Sequence, residues 1–397
     1  MKATLFSLII AALLWYVGGV ELPLNWMLPI AAVFVLTLPL LFAFSWGPLQ
    51  KGEQNITPRL LGMFARDVKI HVSSALLLLF PLVTFAIWVF GQEASSEVKL
   101  YLSLGWIVLF GIALDLLWGL IIRITGYLDP FQASELIAKK ASADVRKNNV
   151  ENLIDGIDAL AEVSSRSISR GNASLAQESI QELRNIGVEF LKASKSFANL
   201  TEDLDENTGG QVDKVAFTFF SLVSRLQSLG YQAAQKKMET VLSQTMTSLG
   251  RLAIASANYD LTLTAHPIVA LGKIATHALK HHENETAIKG EIVLFEVAKS
   301  IINENDLSYG DLKSPFIALI HQLEALEESR FQADKEIQIQ ILTQPFLDLK
   351  ELFKQEKLVG HLDTPALLSE TDRVLAEFAA LENVLRAMPK IPDLEEA

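Results

Sequence analysis

Residues 101–130, YLSLGWIVLFGIALDLLWGLIIRITGYLDP, decide the fold. This is the last apolar run long enough to span a bilayer, and the chain changes character after it. Gly111, Asp115, Gly119 and Arg123 recur at every fourth position. On a helix that spacing predicts one small-and-charged stripe in a lipid-compatible surface.

Half of the 397 residues are apolar, an unusual share for a soluble protein of this length. Seven basic and seven acidic residues precede Pro130, so the whole net charge of −12 lies beyond it. All six Trp precede Pro130, as interfacial anchors would. An acidic second half argues against nucleic acid as a partner, because phosphate binding needs a basic surface. The chain has no Cys, which excludes disulfides, thiolate metal sites and a catalytic thiol and suits a cytosolic face.

Four apolar segments are expected to span: residues 5–20, 26–46, 70–91 and 98–124. Spanning takes about 20 apolar residues, which the last three supply. For the first, Lys2, a short apolar run and Val17-Gly18-Gly19 also fit a cleaved signal peptide. It is taken as a span because another follows after a few residues. Trp26 and Trp46 bracket the second span, and Pro39 and Pro81 are expected to bend spans two and three. Lys51, Arg59, Arg66 and Lys69 fall between spans two and three, whereas the neighbouring loops carry Glu21, Glu93 and Glu97. The positive-inside rule then puts both termini in the cytoplasm of a multi-pass protein of the bacterial inner membrane.

Within the basic loop, Thr57 reads as a helix cap and Pro58 as the first helical residue. Leu60, Leu61, Phe64 and Val68 then share a face opposite Arg59, Arg66 and Lys69, as in an interfacial helix. An ordinary cationic entry into span three is preferred to a gate or headgroup sensor. The run Asn55-Ile56-Thr57-Pro58-Arg59-Leu60-Leu61, then Phe64 and Arg66-Asp67, resembles a family of bacterial predicted membrane proteins of unknown function. That resemblance covers about residues 26–145 and implies four N-terminal spans followed by a largely soluble region, with no activity attached. A Gly-Asn-Asp-Pro type motif associated with the family is missing from this chain.

From residue 131 onward the apolar positions recur at helical spacing, as in Leu153, Ile157, Leu160, Ala161 and in Leu175, Ile180, Leu183, Ile186. The expected fold is therefore all-α: a four-helix transmembrane module over residues 1–130, then an all-helical cytosolic domain over 131–397. Turns near Gly171, Gly230, His282 and Arg330 align loosely and predict antiparallel helix pairs, stacked as a solenoid or closed into a bundle. TEDLDENTGG, residues 201–210, reads as a solvent loop, and Thr364-Pro365 as the start of a terminal capping helix that runs through Met388 before Pro389.

Asp115 carries the strongest chemistry, because an ionisable group inside a span is costly and is by default a transport or proton-relay residue. The structural reading is preferred to it: a pair with Arg59 or Arg66, or a hydrogen bond to backbone freed by a Pro kink. His277, His281 and His282 form the histidine cluster, and 277 and 281 share a helix face. Ala278 stands where a metalloprotease would need Glu, so the cluster is taken as a polar helix end and no metal or cofactor is expected. Phosphate-loop, dinucleotide, nucleophile-elbow and kinase motifs do not occur. The expected function is a non-enzymatic membrane protein in contact with the lipid bilayer, homo-oligomeric or binding a protein partner through its helical domain. The alternative is an ion channel or transporter gated by that domain.

Overall fold

Uninterrupted runs of Leu, Ile, Val, Phe and Ala satisfy their backbone groups internally, and here they do so as helices. The computed structural model describes residues 2–16, 26–55, 57–58, 60–201, 209–304 and 311–387, and among these there is no strand. Contacts divide the chain into two compact units, residues 1–133 and 134–397.

The first unit contains α1 (Lys2–Tyr16), α2 (Met27–Asn55), α3 (Leu60–Ala65), α4 (Val68–Gln92) and α5 (Ser96–Leu128). Among the described residues, three stretches are long and apolar enough to cross a membrane: Met27–Glu53, Val68–Gln92 and Ser96–Leu128. The expected first span, residues 5–20, is described only as far as Tyr16, where it forms the apolar helix α1. The described 15 residues of α1 cover about 22 Å of the ~30 Å of a hydrocarbon core. Val17-Gly18-Gly19 lies outside the described residues.

α5 packs against α1, α4 and α2, and α4 packs against α2. Phe34, Phe80, Trp106 and Phe110 stack between α2, α4 and α5 with centroids 4.9–6.2 Å apart. Trp106 satisfies its indole N–H on Thr84 Oγ1 at 3.0 Å. Pro39 and Pro81 lie inside continuous helices. Large apolar side chains such as Phe44, Leu82, Phe90 and Trp118 face outward, a surface that lipid accommodates and water does not.

The basic loop differs from expectation. α3 has only six residues, and its helix stops at Arg66 because Asp67 caps a new one. Leu60 and Phe64 are buried as predicted, whereas Val68 opens α4 and is 71% exposed.

The second unit is built from α6 (Pro130–Arg146), whose first turn belongs to the preceding unit, and α7 (Val150–Ser169), α8 (Ala173–Thr201), α9 (Gly209–Gln235), α10 (Glu239–Ala257), α11 (Leu261–Lys280), α12 (Asn284–Glu304), α13 (Lys313–Ala333), α14 (Ile339–Phe353), α15 (Glu356–Val359) and α16 (Thr364–Ala387). α7, α9, α11 and α13 pack successively in one layer, and α8, α10, α12 and α14 in a second. Each layer follows its neighbour two elements along the chain, which is the solenoid arrangement of the two foreseen. Leu153, Ile157, Leu160, Leu175, Ile180, Leu183 and Ile186 are all buried between the layers. α16 covers α13 and α14, seating Phe378 on Phe346 at 5.9 Å; Met388 and Pro389 lie outside the described residues.

One turn type closes four of the helices. Asn148, Gly171, Lys237 and His282 have φ of 53°, 76°, 53° and 65°. After each, the next N–H reaches back five residues: Asn149 to Asp144, Asn172 to Ser167, Met238 to Ala233 and Glu283 to Ala278, at 2.9–3.0 Å. This is the left-handed closure that satisfies a helix's last carbonyls. The turn expected near Gly230 therefore sits at Lys237, and Gly230 is inside α9, where an added Cβ would meet Ile274 Cδ1 at 2.5 Å. Gly209 and Gly210 begin α9 instead of ending a loop, and residues 202–208 lie outside the described ones.

Candidate functional site

The predicted stripe on α5 does not stay on one face. A helix turns 100° per residue, so each four-residue step drifts about 40°, and twelve residues carry Arg123 about 120° from Gly111. The structure uses the four positions separately.

Gly111 and Asp115 face α1. Without a side chain at 111, Ser7 approaches so closely that an added Cβ would lie 2.6 Å from Ser7 Cβ. One turn on, Asp115 accepts the N–H of Ala3 at 3.1 Å and that of Thr4 at 3.0 Å, and its second oxygen also takes the Thr4 hydroxyl at 2.5 Å. A helix begins with N–H groups that lack partners and a partial positive charge. Asp115 supplies the missing cap from another helix. At the far end, Trp15 meets Tyr101 at 5.5 Å, so α1 runs antiparallel to α5 from the level of Asp115 outward. The arginine or kink partner expected for Asp115 is replaced by the first turn of α1.

Gly119 has open space around it. Arg123 points to the start of α4: its Nε donates to Asp67 Oδ2 at 2.7 Å, and the Tyr127 hydroxyl donates to the same oxygen at 2.8 Å. Asp67 also accepts the N–H of Lys69 at 3.0 Å as the N-cap of α4. The Asp67 carboxylate is 6% exposed. Burial works against its ionisation, but the Arg123 and Tyr127 hydrogen bonds and the Arg123 charge outweigh it, holding the group below its ordinary value. Phe64 of α3 packs edge-on against Tyr127 at 5.6 Å and against Phe42 of α2 at 6.2 Å, so this node joins α2, α3, α4 and α5.

Of the basic residues predicted for an interfacial helix, Arg66 forms the turn between α3 and α4, Lys69 is exposed in the first turn of α4, and Arg59 lies outside the described residues. Asp67 and Tyr127 were not anticipated. Asp67 carries a signal in the sequence: it is acidic within a basic loop and directly precedes a long apolar run, the pattern of an N-cap.

In the second unit the histidines separate. His277 and His281, on α11 and its C-cap, bring their Nε2 atoms to 3.2 Å, and the His277 ring rests on Tyr231 of α9 at 4.7 Å. Burial, then the neighbouring His281 and Lys280, lowers the pKa of His277. His282 occupies the left-handed turn position instead. Sequence reasoning missed a buried cluster in this unit: Glu327, with no side-chain exposure, and Glu291 both accept from Arg330 Nη1, at 2.9 and 3.0 Å.

No family model matches the chain, and no curated protein matches it. Among solved structures, a circular tandem repeat protein with novel repeat topology and enhanced subunit contact surfaces is similar at 15% identity, over 90% of this chain and 98% of that one, with a TM-score of 0.26.

Proposed function

We propose that this is an integral membrane scaffold in the bacterial inner membrane, in which a small apolar helical unit anchors a cytosolic helical stack that binds a protein partner or a neighbouring subunit. The observation that carries the reading is the two-layer stack of α7 to α14. Each pair in such a stack buries one face against its neighbours and leaves an extended surface for recognition. The membrane unit is read as an anchor because Asp115, the ionisable residue deep in α5, is engaged in docking α1 within its own bundle. Three long apolar helices and the basic loop before α4 support cytoplasmic placement of the stack by the positive-inside rule.

The test is in-membrane cross-linking of the full chain, followed by mass measurement of the detergent-solubilised particle and planar-bilayer recording. A cross-linked assembly without conductance supports the scaffold. A monomer with no cross-linked partner, or a particle that carries ion-selective current, overturns it, the latter in favour of a channel.

A further inference from the structure

We propose that His277 and His281 form an open binding site for a divalent first-row transition ion, with copper(II) preferred and zinc(II) and nickel(II) next. Two imidazole nitrogens, each about 2.0–2.1 Å from one ion, lie ~2.9 Å apart at the 90° angle of a tetragonal copper(II) or nickel(II) ion and ~3.3 Å apart at the tetrahedral angle of zinc(II). The two Nε2 atoms stand 3.2 Å apart and face one another. An ion bound by both lies to one side of the line that joins them and takes the place of their hydrogen bond.

Both rings are already oriented. His277 is on the last turn of α11 and half-buried, with its ring against Tyr231 at 4.7 Å. Tyr231 is itself held by Gln227, whose amide donates to its hydroxyl at 2.7 Å. His281 is fixed as the C-cap of the same helix through its N–H to the Ala278 carbonyl at 3.0 Å. Residues four apart on a helix share a face, so little rearrangement is needed to present two ligands at once.

Among the described residues no group of three His, Asp or Glu side chains converges as a metal site. The ion is therefore held by two protein ligands, and water fills its remaining positions. Imidazole suits copper, zinc and nickel and is a poor ligand for magnesium or calcium, and at a nitrogen site copper(II) binds tightest of the three. His282, exposed at the left-handed turn, is not one of the two proposed ligands.

The test titrates copper(II), then zinc(II), into full-length detergent-solubilised protein that carries no histidine tag, with competition calorimetry and copper spin resonance as readouts. One equivalent of copper is expected to bind with nitrogen hyperfine structure from two imidazoles. His281→Ala is expected to weaken that binding at least ~10-fold, and His277→Ala to do the same. His282→Gly, which suits the left-handed turn, leaves it unchanged. Because His281 caps an exposed helix end, its variant folds even if the His277 variant does not. Equal copper affinity in the wild-type protein and His281→Ala, or loss of binding in His282→Gly, overturns the proposal.

Discussion

Asp115 of α5 caps α1 from the side, with the Thr4 N–H 3.0 Å and the Thr4 hydroxyl 2.5 Å from one carboxylate oxygen. A residue that looks like a transport group in the sequence is thus used to end a helix inside an apolar bundle. The arrangement has a cost that explains its geometry. N–H groups at a helix start find no water in lipid, so a helix beginning below the interface needs an acceptor from a neighbour.

Replacing Asp115 with Ala is expected to undock the first turn of α1. A cysteine introduced at Ala3 should then react faster with a water-soluble maleimide, and the detergent-solubilised protein should melt at a lower temperature. Asp115→Asn, which keeps one acceptor oxygen, should fall between the two. Unchanged labelling and melting in Asp115→Ala would show that the cap does not hold α1.

The second polar node predicts coupling between α4 and α5. Asp67→Ala removes the acceptor of both Arg123 and Tyr127, and Arg123→Ala removes one donor. A double-mutant cycle on these two positions should give a coupling of about 1 kcal/mol, reduced from the value for a fully buried pair because Arg123 is 31% exposed. Additive losses would mean that the ion pair contributes nothing beyond its separate groups.

At the α9–α10 turn, Lys237 adopts φ of 53°, a conformation that L side chains enter at a cost. Lys237→Gly should therefore stabilise this turn by about 0.5–1 kcal/mol, read as slower native-state hydrogen exchange in the flanking helical turns. Gly171→Ala, at φ of 76°, should act in the opposite direction in α7 and α8.

Glu327 sets a pH dependence. Burial raises its pKa from the ordinary 4.5 to about 7, against the opposing pull of Arg330 and with Glu291 adding to the rise. The pKa of Glu291 is raised by burial as well, with Asp348 adding repulsion. A carboxyl whose folded pKa is raised contributes stability fully present below its unfolded value and lost as pH rises through its folded value. Melting temperature is therefore expected to decline between about pH 4.5 and 7 from this source. Glu327→Gln is expected to remove that part of the slope. An unchanged slope in the variant would refute the assignment.

Helix content was legible throughout, because apolar spacing and local propensity act over a few residues. Leu153, Ile157 and Leu160 are buried where the 3.6-residue period puts them. The turn at Lys237 was not legible, since a left-handed lysine has no local preference to reveal it, and Gly230 drew the reading instead. That glycine answers to packing, where Ile274 of another helix leaves no room for a methyl group.

The sequence by itself determined an all-helical chain with long apolar segments before Pro130 and an acidic, amphipathic remainder. Composition and periodicity encode those properties directly. Tertiary structure alone decided that α1 is seated on Gly111 and Asp115, that Arg123 turns away to Asp67, and that His277 meets His281 while His282 takes the left-handed turn. Each of these depends on rotation accumulated along a helix, or on which distant turn packs against it, and neither quantity is carried by residue spacing within one segment.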